Sequence, residues 1–204
     1  MNNCLVSIVI PNHNYANYVS EAIESVLGQT YRNIEVIVVD NGSTDNSLEV
    51  LHKFGKKIKL ISQENRGQSG ARNRGIAESA GDWIAFCDAD DIWLPNKLES
   101  QMQLTHKASI GLVSCGYQII DSNRKPKEKV FPKYRGFVSE RFARGIDAVF
   151  PGGESCVLIR RECFQIVGDF DKNLSISSGF DLYRRVALRY EVDFVPEVLM
   201  YYRQ

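Results

Sequence analysis

Short apolar runs recur along the first hundred residues, and between them apolar side chains return every three or four positions. Leu5–Ile10, Ile34–Val39 and Trp83–Cys87 are continuous runs rich in β-branched and aromatic residues, the pattern of strands buried on both faces. Ile58–Ser62 is a shorter run of the same kind. Between the runs, Tyr18 to Leu27 carries Val19, Ile23, Val26 and Leu27 at helical spacing, with Asn17 placed to cap it and Gly28 to end it. Ser43 or Thr44 can cap a second helix that reaches about Phe54, with Leu48, Leu51 and Phe54 on one face. Gly70–Ala80 reads as a third helix, and Pro95 suits the first turn of a fourth that carries Leu98, Met102 and Leu104. This β-α-β-α-β-α-β alternation predicts an α/β fold, Rossmann-like, with a mainly parallel sheet flanked by helices.

The pattern loosens after residue 110. Ile110–Ile120 is a strand bent at Gly116, Cys156–Arg160 a short strand, Glu162–Val167 a short helix and Asp181–Arg189 a longer one. Val192–Val195 and Leu199–Tyr202 read as two closing strands. The segment 123–135 holds Arg124, Lys125, Lys127, Lys129, Lys133 and Arg135; it reads as a solvated loop or as a contact for a phosphorylated or lipid-linked acceptor. With no repeat and no low-complexity linker, residues 1–204 are expected to form a single domain.

Composition narrows the classes. Lys plus Arg equals Asp plus Glu, 25 each, so overall charge gives no support to a nucleic-acid partner. The five cysteines, Cys4, Cys87, Cys115, Cys156 and Cys163, are odd in number and form no C-x-x-C, which suggests reduced, buried thiols in a cytosolic protein. His13, His52 and His106 have no zinc-ligand spacing to them. No apolar run approaches the roughly 20 residues of a membrane span, and Leu5–Ile10 is too short for a signal peptide. A cytoplasmic protein is expected, free to make peripheral contact with the inner face of a membrane.

Three strand ends finish in polar clusters: Pro11-Asn12-His13-Asn14, Asp40-Asn41-Gly42-Ser43 and Asp88-Ala89-Asp90-Asp91. In open α/β sheets ligands bind beyond the carboxyl ends of the strands. Asp88, Asp90 and Asp91 repel one another, and a cation would offset them. Hard carboxylate oxygens suit Mg²⁺ or Mn²⁺, with phosphate oxygens and water filling the remaining positions. Taken alone, the same acids also suit a solvated turn that caps the next helix.

The motifs, taken in order, resemble glycosyltransferase family 2, inverting nucleotide-sugar transferases of the GT-A fold. They are V-S-I-V-I-P-N-H-N-Y at 6–15, the stretch ending V-V-D-N-G-S-T-D at 25–45, N-R-G-Q-S-G-A-R-N-R-G-I at 65–76 and G-D-W-I-A-F-C-D-A-D-D-I-W-L-P-N-K-L at 81–98. V-G-D-F-D at 167–171, F-D-L-Y-R-R-V-A at 180–187 and Y-Y-R at 201–203 complete the set. The resemblance implies a nucleotide-sugar-binding half over about 1–110 and a smaller, mixed acceptor-side half over about 111–204. It implies that Pro11 and His13 line the nucleobase, that Asp40 and Asn41 form the family's D-D/N pair with Asn41 at the base edge, and that Arg66 and Arg72 reach diphosphate or base. Asp88 and Asp90 match its D-x-D and would hold Mg²⁺ or Mn²⁺ against the donor; Asp91 would stand behind them or cap the Pro95 helix, and Trp93 would pack or wall the acceptor. The implied donor is a nucleoside-diphosphate sugar with a pyrimidine base, UDP or its thymidine counterpart, and the implied acceptor a saccharide or lipid-linked hydroxyl in surface polysaccharide or glycolipid biosynthesis.

The sequence departs from the family at one telling place. Most members have E-D-x-D-L before the late helix, with the second letter as general base; here the stretch is Ser178-Gly179-Phe180-Asp181-Leu182. Gly179 cannot take a proton, so the resemblance leaves Asp181 as the first candidate base, Glu154 as the second and a non-catalytic nucleotide-sugar-binding protein as the alternative. Many members also continue past the position of Gln204 to a histidine that helps hold metal and diphosphate, which leaves a longer parent chain open. Other classes fit less well. A nucleotidylyltransferase would carry a Gly-rich basic loop after the first strand, an aspartyl-nucleophile phosphatase would place D-x-D after its first strand, and a dinucleotide oxidoreductase would show an early G-x-G-x-x-G.

Overall fold

The early apolar runs form the parallel half of one sheet. The computed structural model describes residues 4–143, 153–174 and 177–204. Strands β1 (Val6–Asn12), β2 (Ile34–Asn41), β3 (Lys59–Gln63) and β4 (Trp83–Phe86) lie in the order β3-β2-β1-β4, all parallel. Helices α1 (Val19–Leu27), α2 (Ser47–His52) and α3 (Gly67–Ala77) connect them. In β2, Ile37 and Val39 pack with Ala71 of α3, while Val36 and Val38 join Val19, Ile23 and Leu51 in the main core. Successive side chains point to opposite faces, and both faces are covered, so the run has no polar position in its middle.

Beyond β4 the sheet becomes mixed. The chain passes through β5 (Ile92–Trp93), α4 (Lys97–Met102), β6 (Ile110–Ile120), β7 (Pro126–Val130), α5 (Ser139–Ala143), β8 (Leu158–Arg160), α6 (Arg161–Val167), α7 (Ser178–Ala187) and β9 (Glu191–Arg203). The order from β4 onward is β4-β8-β6-β9-β5, with β7 paired to β6 further along. β8 runs antiparallel to both β4 and β6, whereas β6 and β9 are parallel. One core cluster joins Ile8 and Phe86 to Leu112, Leu158, Leu182 and Leu199.

Several expected boundaries move for identifiable reasons. Asn17 does not cap α1; Tyr18 N and Val19 N both donate to the Tyr15 carbonyl at 2.9 Å. Helix α2 does not start at Ser43 or Thr44, because Ser43 Oγ donates to Asp40 and Thr44 N donates to Asn14 Oδ1. The segment expected as a solvated loop contains β7, an ordered edge strand on β6. The two expected closing strands are one, β9, which passes Pro196 where its register against β6 slips between Cys115 and Gly116. A bulge of that kind is where a strand tolerates a residue with no amide to donate. All five cysteines are free, and all but Cys4 are buried. Among the described residues no helix is long and apolar enough to cross a membrane.

Candidate active site

β4 delivers Asp88, Asp90 and Asp91 to the carboxyl edge of the parallel strands, and the loop that bears them is held from two sides. Asp88 N donates to Ser155 Oγ (2.9 Å), and the same hydroxyl donates to Asp91 Oδ2 (2.5 Å). From β9, Arg203 N donates to Asp91 Oδ1 (3.1 Å) and Arg203 Nε donates to the Asp90 carbonyl (2.9 Å). The Arg203 guanidinium also pairs with Glu21 of α1 at 2.8 Å and lies over the Tyr18 ring. Asp91 therefore stands behind the other two acids as a loop brace; Asn96, not Asp91, precedes α4. Trp93 is buried under the Lys97 ammonium and packs.

Asp88 and Asp90 line a cleft of about 150 Å³ with Pro11, Tyr15, Gln68 and Tyr202. Burial, then the Asp88 charge, pushes the Asp90 carboxyl above its usual range, and the same two causes push Asp91 well above it. The Tyr15 phenol is raised first by Asp90, to which it hydrogen-bonds, and then by burial. Burial and the mutual repulsion of the acids thus both disfavour their charged forms. The described residues contain no cluster of three or more His, Cys, Asp or Glu side chains arranged to enclose a metal. Two cleft-facing carboxylates fit a cation that keeps most of its positions for water and phosphate, as Mg²⁺ does.

Helix α3 adds a buried cation behind Asp88. Arg72 is 1% exposed, and its guanidinium pairs with Asp88 Oδ1 at 2.7 Å and with Glu154 Oε1 at 3.2 Å. The next residue, Asn73, exchanges two hydrogen bonds with the backbone of Phe170 and so docks the 167–171 segment on α3. Glu154 opens the turn before β8 and packs against the first turn of α7. A Cβ at Gly179 would lie 2.5 Å from Glu154 Oε1 and 3.1 Å from the Tyr183 hydroxyl. Burial raises the Glu154 carboxyl most, Arg72 pulls it back, and Asp88 raises it further; the net direction is up. Asp181 is elsewhere. Two positions along a helix turn a side chain by about 200°, so Gly179 and Asp181 face opposite sides. The Asp181 carboxylate is held by Arg185 at 2.8 Å, and that guanidinium also donates to the carbonyls of residues 167–169.

The first two strand ends are tied to each other. Asp40 is fully buried and accepts from Asn12 Nδ2 (2.9 Å) and Ser43 Oγ (2.5 Å). Asn41 turns inward: its amide donates to Asn65 Oδ1 and the Gly67 carbonyl, and its Oδ1 accepts from Gln63 Nε2 and Arg66 N. Gly42 has φ 75°, and a Cβ there would meet Asn65 N at 2.8 Å, so the turn requires glycine. His13 Nε2 lies 3.3 Å from Asn65 Nδ2, while its Nδ1 is buried with no partner. The Arg66 side chain is exposed, with no ion pair among the described residues.

The structure thus sets Pro11, Asp88 and Asp90 on one cleft, with Arg72 and Glu154 linked behind Asp88, and holds Asp181 apart against Arg185. Sequence reasoning passed over Ser155, Glu21, Tyr15 and Arg203. Tyr15 and Arg203 lay inside motifs that were legible, while Ser155 and Glu21 gave no signal, since each acts through a partner far away in sequence.

Comparison with known proteins agrees with this architecture. Staphylococcus aureus TarS 1–349 in complex with UDP superposes with a TM-score of 0.78 at 17% identity, covering 98% of this chain and 60% of that one. A Pyrobaculum calidifontis mannosyltransferase in complex with GDP-Man and Mn²⁺ gives 0.73 at 18%, covering 98% and 56%. The fold is that of the GT-A glycosyltransferases. Residues 7–167 match the family model of glycosyl transferase family 2, and the chain belongs to that family. An uncharacterised glycosyltransferase of Rickettsia prowazekii is 36% identical over 203 residues, 96% of this chain and 63% of the relative. The Escherichia coli UDP-Glc:α-D-GlcNAc-diphosphoundecaprenol β-1,3-glucosyltransferase WfgD is 42% identical over 125 residues, 60% of this chain and 49% of WfgD. The chain spans less than two thirds of the length of these relatives.

Proposed function

We propose that this chain transfers a sugar from a pyrimidine nucleoside-diphosphate sugar to a hydroxyl of a saccharide or lipid-linked acceptor, with inversion at the anomeric carbon. Surface polysaccharide or glycolipid assembly is the context, and peripheral contact with the inner face of a membrane would bring such an acceptor within reach. Support comes from family membership, from the UDP-glucose and diphosphoundecaprenol in the name of WfgD, and from the cleft. Asp88 and Asp90 would hold Mg²⁺ or Mn²⁺, which when bound offsets charge on the departing diphosphate. Pro11 and His13 line the base, with the His13 ring beside Asn65. Asp40 and Asn41 hold the base loop in shape from inside, and the exposed Arg66 is the nearby fork for phosphate.

Glu154 takes the acceptor's proton. The observation that carries this role is its carboxylate packed against Gly179, where the family pattern would have placed an acid. Its raised pKa suits a base, because proton-transfer efficiency is best with a catalytic pKa near the working pH. Arg72 touches both Asp88 and Glu154 and fixes one relative to the other.

A donor panel of uridine, thymidine, guanosine and adenosine diphosphate sugars, run with Mn²⁺ and a saccharide acceptor series, tests the proposal. Turnover with a pyrimidine donor is expected, and a purine preference would displace His13 and Asn41 from the base pocket. Binding of donor with no transfer to any acceptor would favour the binding-protein alternative, whose one structural argument is Gly179.

A further inference from the structure

The chain as a whole has no net charge, yet residues 122–135 carry six basic side chains and one acid. The structure divides those six into two groups. Arg124 pairs with Glu21, and Arg135 pairs with Asp193 at 3.1 Å while lying over the Phe194 ring. Between them Lys125, Lys127, Lys129 and Lys133 are exposed, and none forms an ion pair among the described residues. The two arginines brace the segment at its ends, and pairing of β7 with β6 gives its middle a fixed course.

That course sorts the side chains. The register against β6 slips between Pro126 and Lys129, so alternation is kept only beyond the slip: Lys129, opposite Gln118, and Phe131, over Gly116, share one face, and Val130, opposite Tyr117, is on the other. Val130 is registered with Tyr117, whose ring meets Tyr202 at the cleft, so Lys129 and Phe131 look away from the cleft wall. Phe131 covers Gly116 and is still 39% exposed. Phe137, just beyond, is 68% exposed.

We propose that this braced basic hairpin is a docking surface for an anionic phospholipid bilayer. The charges are strung along nine residues, from Lys125 to Lys133. They do not converge on a point, so they suit a plane of spread negative charge better than a single phosphate. An exposed phenylalanine on the same face adds apolar contact at the headgroup level. Basic side chains near an anionic leaflet each contribute to binding, and the attraction decays within a Debye length, about 8 Å at physiological salt. This inference does not depend on the proposed transfer reaction, and it is read without donor or acceptor.

The test is co-sedimentation of the whole chain with vesicles of phosphatidylcholine alone or mixed with phosphatidylglycerol, at low and high salt. Binding to the mixed vesicles only, lost at high salt, is expected. Replacing Lys125, Lys127, Lys129 and Lys133 by serine should weaken it by about fivefold per lysine removed, with an unchanged circular dichroism spectrum and melting temperature. Phe131→Ser is expected to weaken binding without changing its salt dependence. Equal binding to neutral vesicles, undiminished binding by the four-lysine variant, or capture by soluble polyphosphate with none by vesicles would each overturn the proposal.

Discussion

Glu154 occupies the space that any side chain at position 179 would need: its Oε1 is 2.5 Å from where a Cβ on Gly179 would stand. Glycine is not an empty position there. It is the complement of a carboxylate that arrives from the turn before β8 and reaches back to Arg72.

Gly179→Ala should therefore destabilise the fold by about 1–3 kcal/mol, the usual range for overpacking. Glu154→Ala combined with Gly179→Ala should recover part of that loss, since neighbouring substitutions couple. Denaturant unfolding of the two single variants and the double variant checks this. Gly179→Asp, which writes the commoner family pattern into the sequence, should lower transfer by driving Glu154 out. A gain in transfer would show that Glu154 is not the working acid.

Glu154→Gln should reduce turnover by about 10²–10⁴-fold with donor affinity retained, whereas Asp181→Asn should leave chemistry nearly unchanged and act on the docking of α7 through Arg185. The pH dependence has a definite sign. A base works deprotonated, and burial raises the Glu154 carboxyl above the ordinary value of about 4.3. Turnover should fall as pH drops through that raised value, and Glu154→Gln should abolish this acid limb in kcat profiles.

Asp90→Asn should remove Mn²⁺-dependent binding of nucleoside diphosphate while the protein stays folded. Relieved of a neighbouring like charge, the apo variant should melt no lower than the parent. Calorimetric titration with and without Mn²⁺ decides it, and undiminished metal-dependent affinity in the variant would remove Asp90 from the seat.

Arg203→Ala should act at a distance from the ligand. The guanidinium grips the Asp90 carbonyl and Glu21. Its loss should weaken metal-dependent diphosphate binding by about 10–100-fold, the usual range for partners that orient ligands. Glu21→Gln should produce a smaller shift in the same direction, read by the same titration.

The sequence made the parallel half of the fold legible because β1, β2 and β4 are largely covered on both faces, and the polar breaks in their apolar runs, Ser7 and Glu35, bond to each other. The mixed half was harder. β8 is three residues long and β5 two, too short for any period to register, and β9 continues past a proline because a bulge absorbs it. For the site, strand ends and acids could be read directly, since ligand position follows from strand direction. The partnership of residues 154 and 179 could not be read, because it lies in the close approach of a turn and a helix. Asp181 attracted attention as the nearest acid in sequence, whereas helical rotation turns it to the far side.

β8 runs against β4, and so it is the start of β8, not its end, that arrives where the parallel strands finish. Ser155 reaches the acidic loop, and Glu154 the buried Arg72 beside it, for that reason. On the proposed role of Glu154, a strand entrance supplies the acid beside position 179 that the commoner family pattern supplies from a helix start. Homologues judged inactive from a missing motif letter are worth inspecting for a carboxylate that has changed its address in the chain but not its place in space.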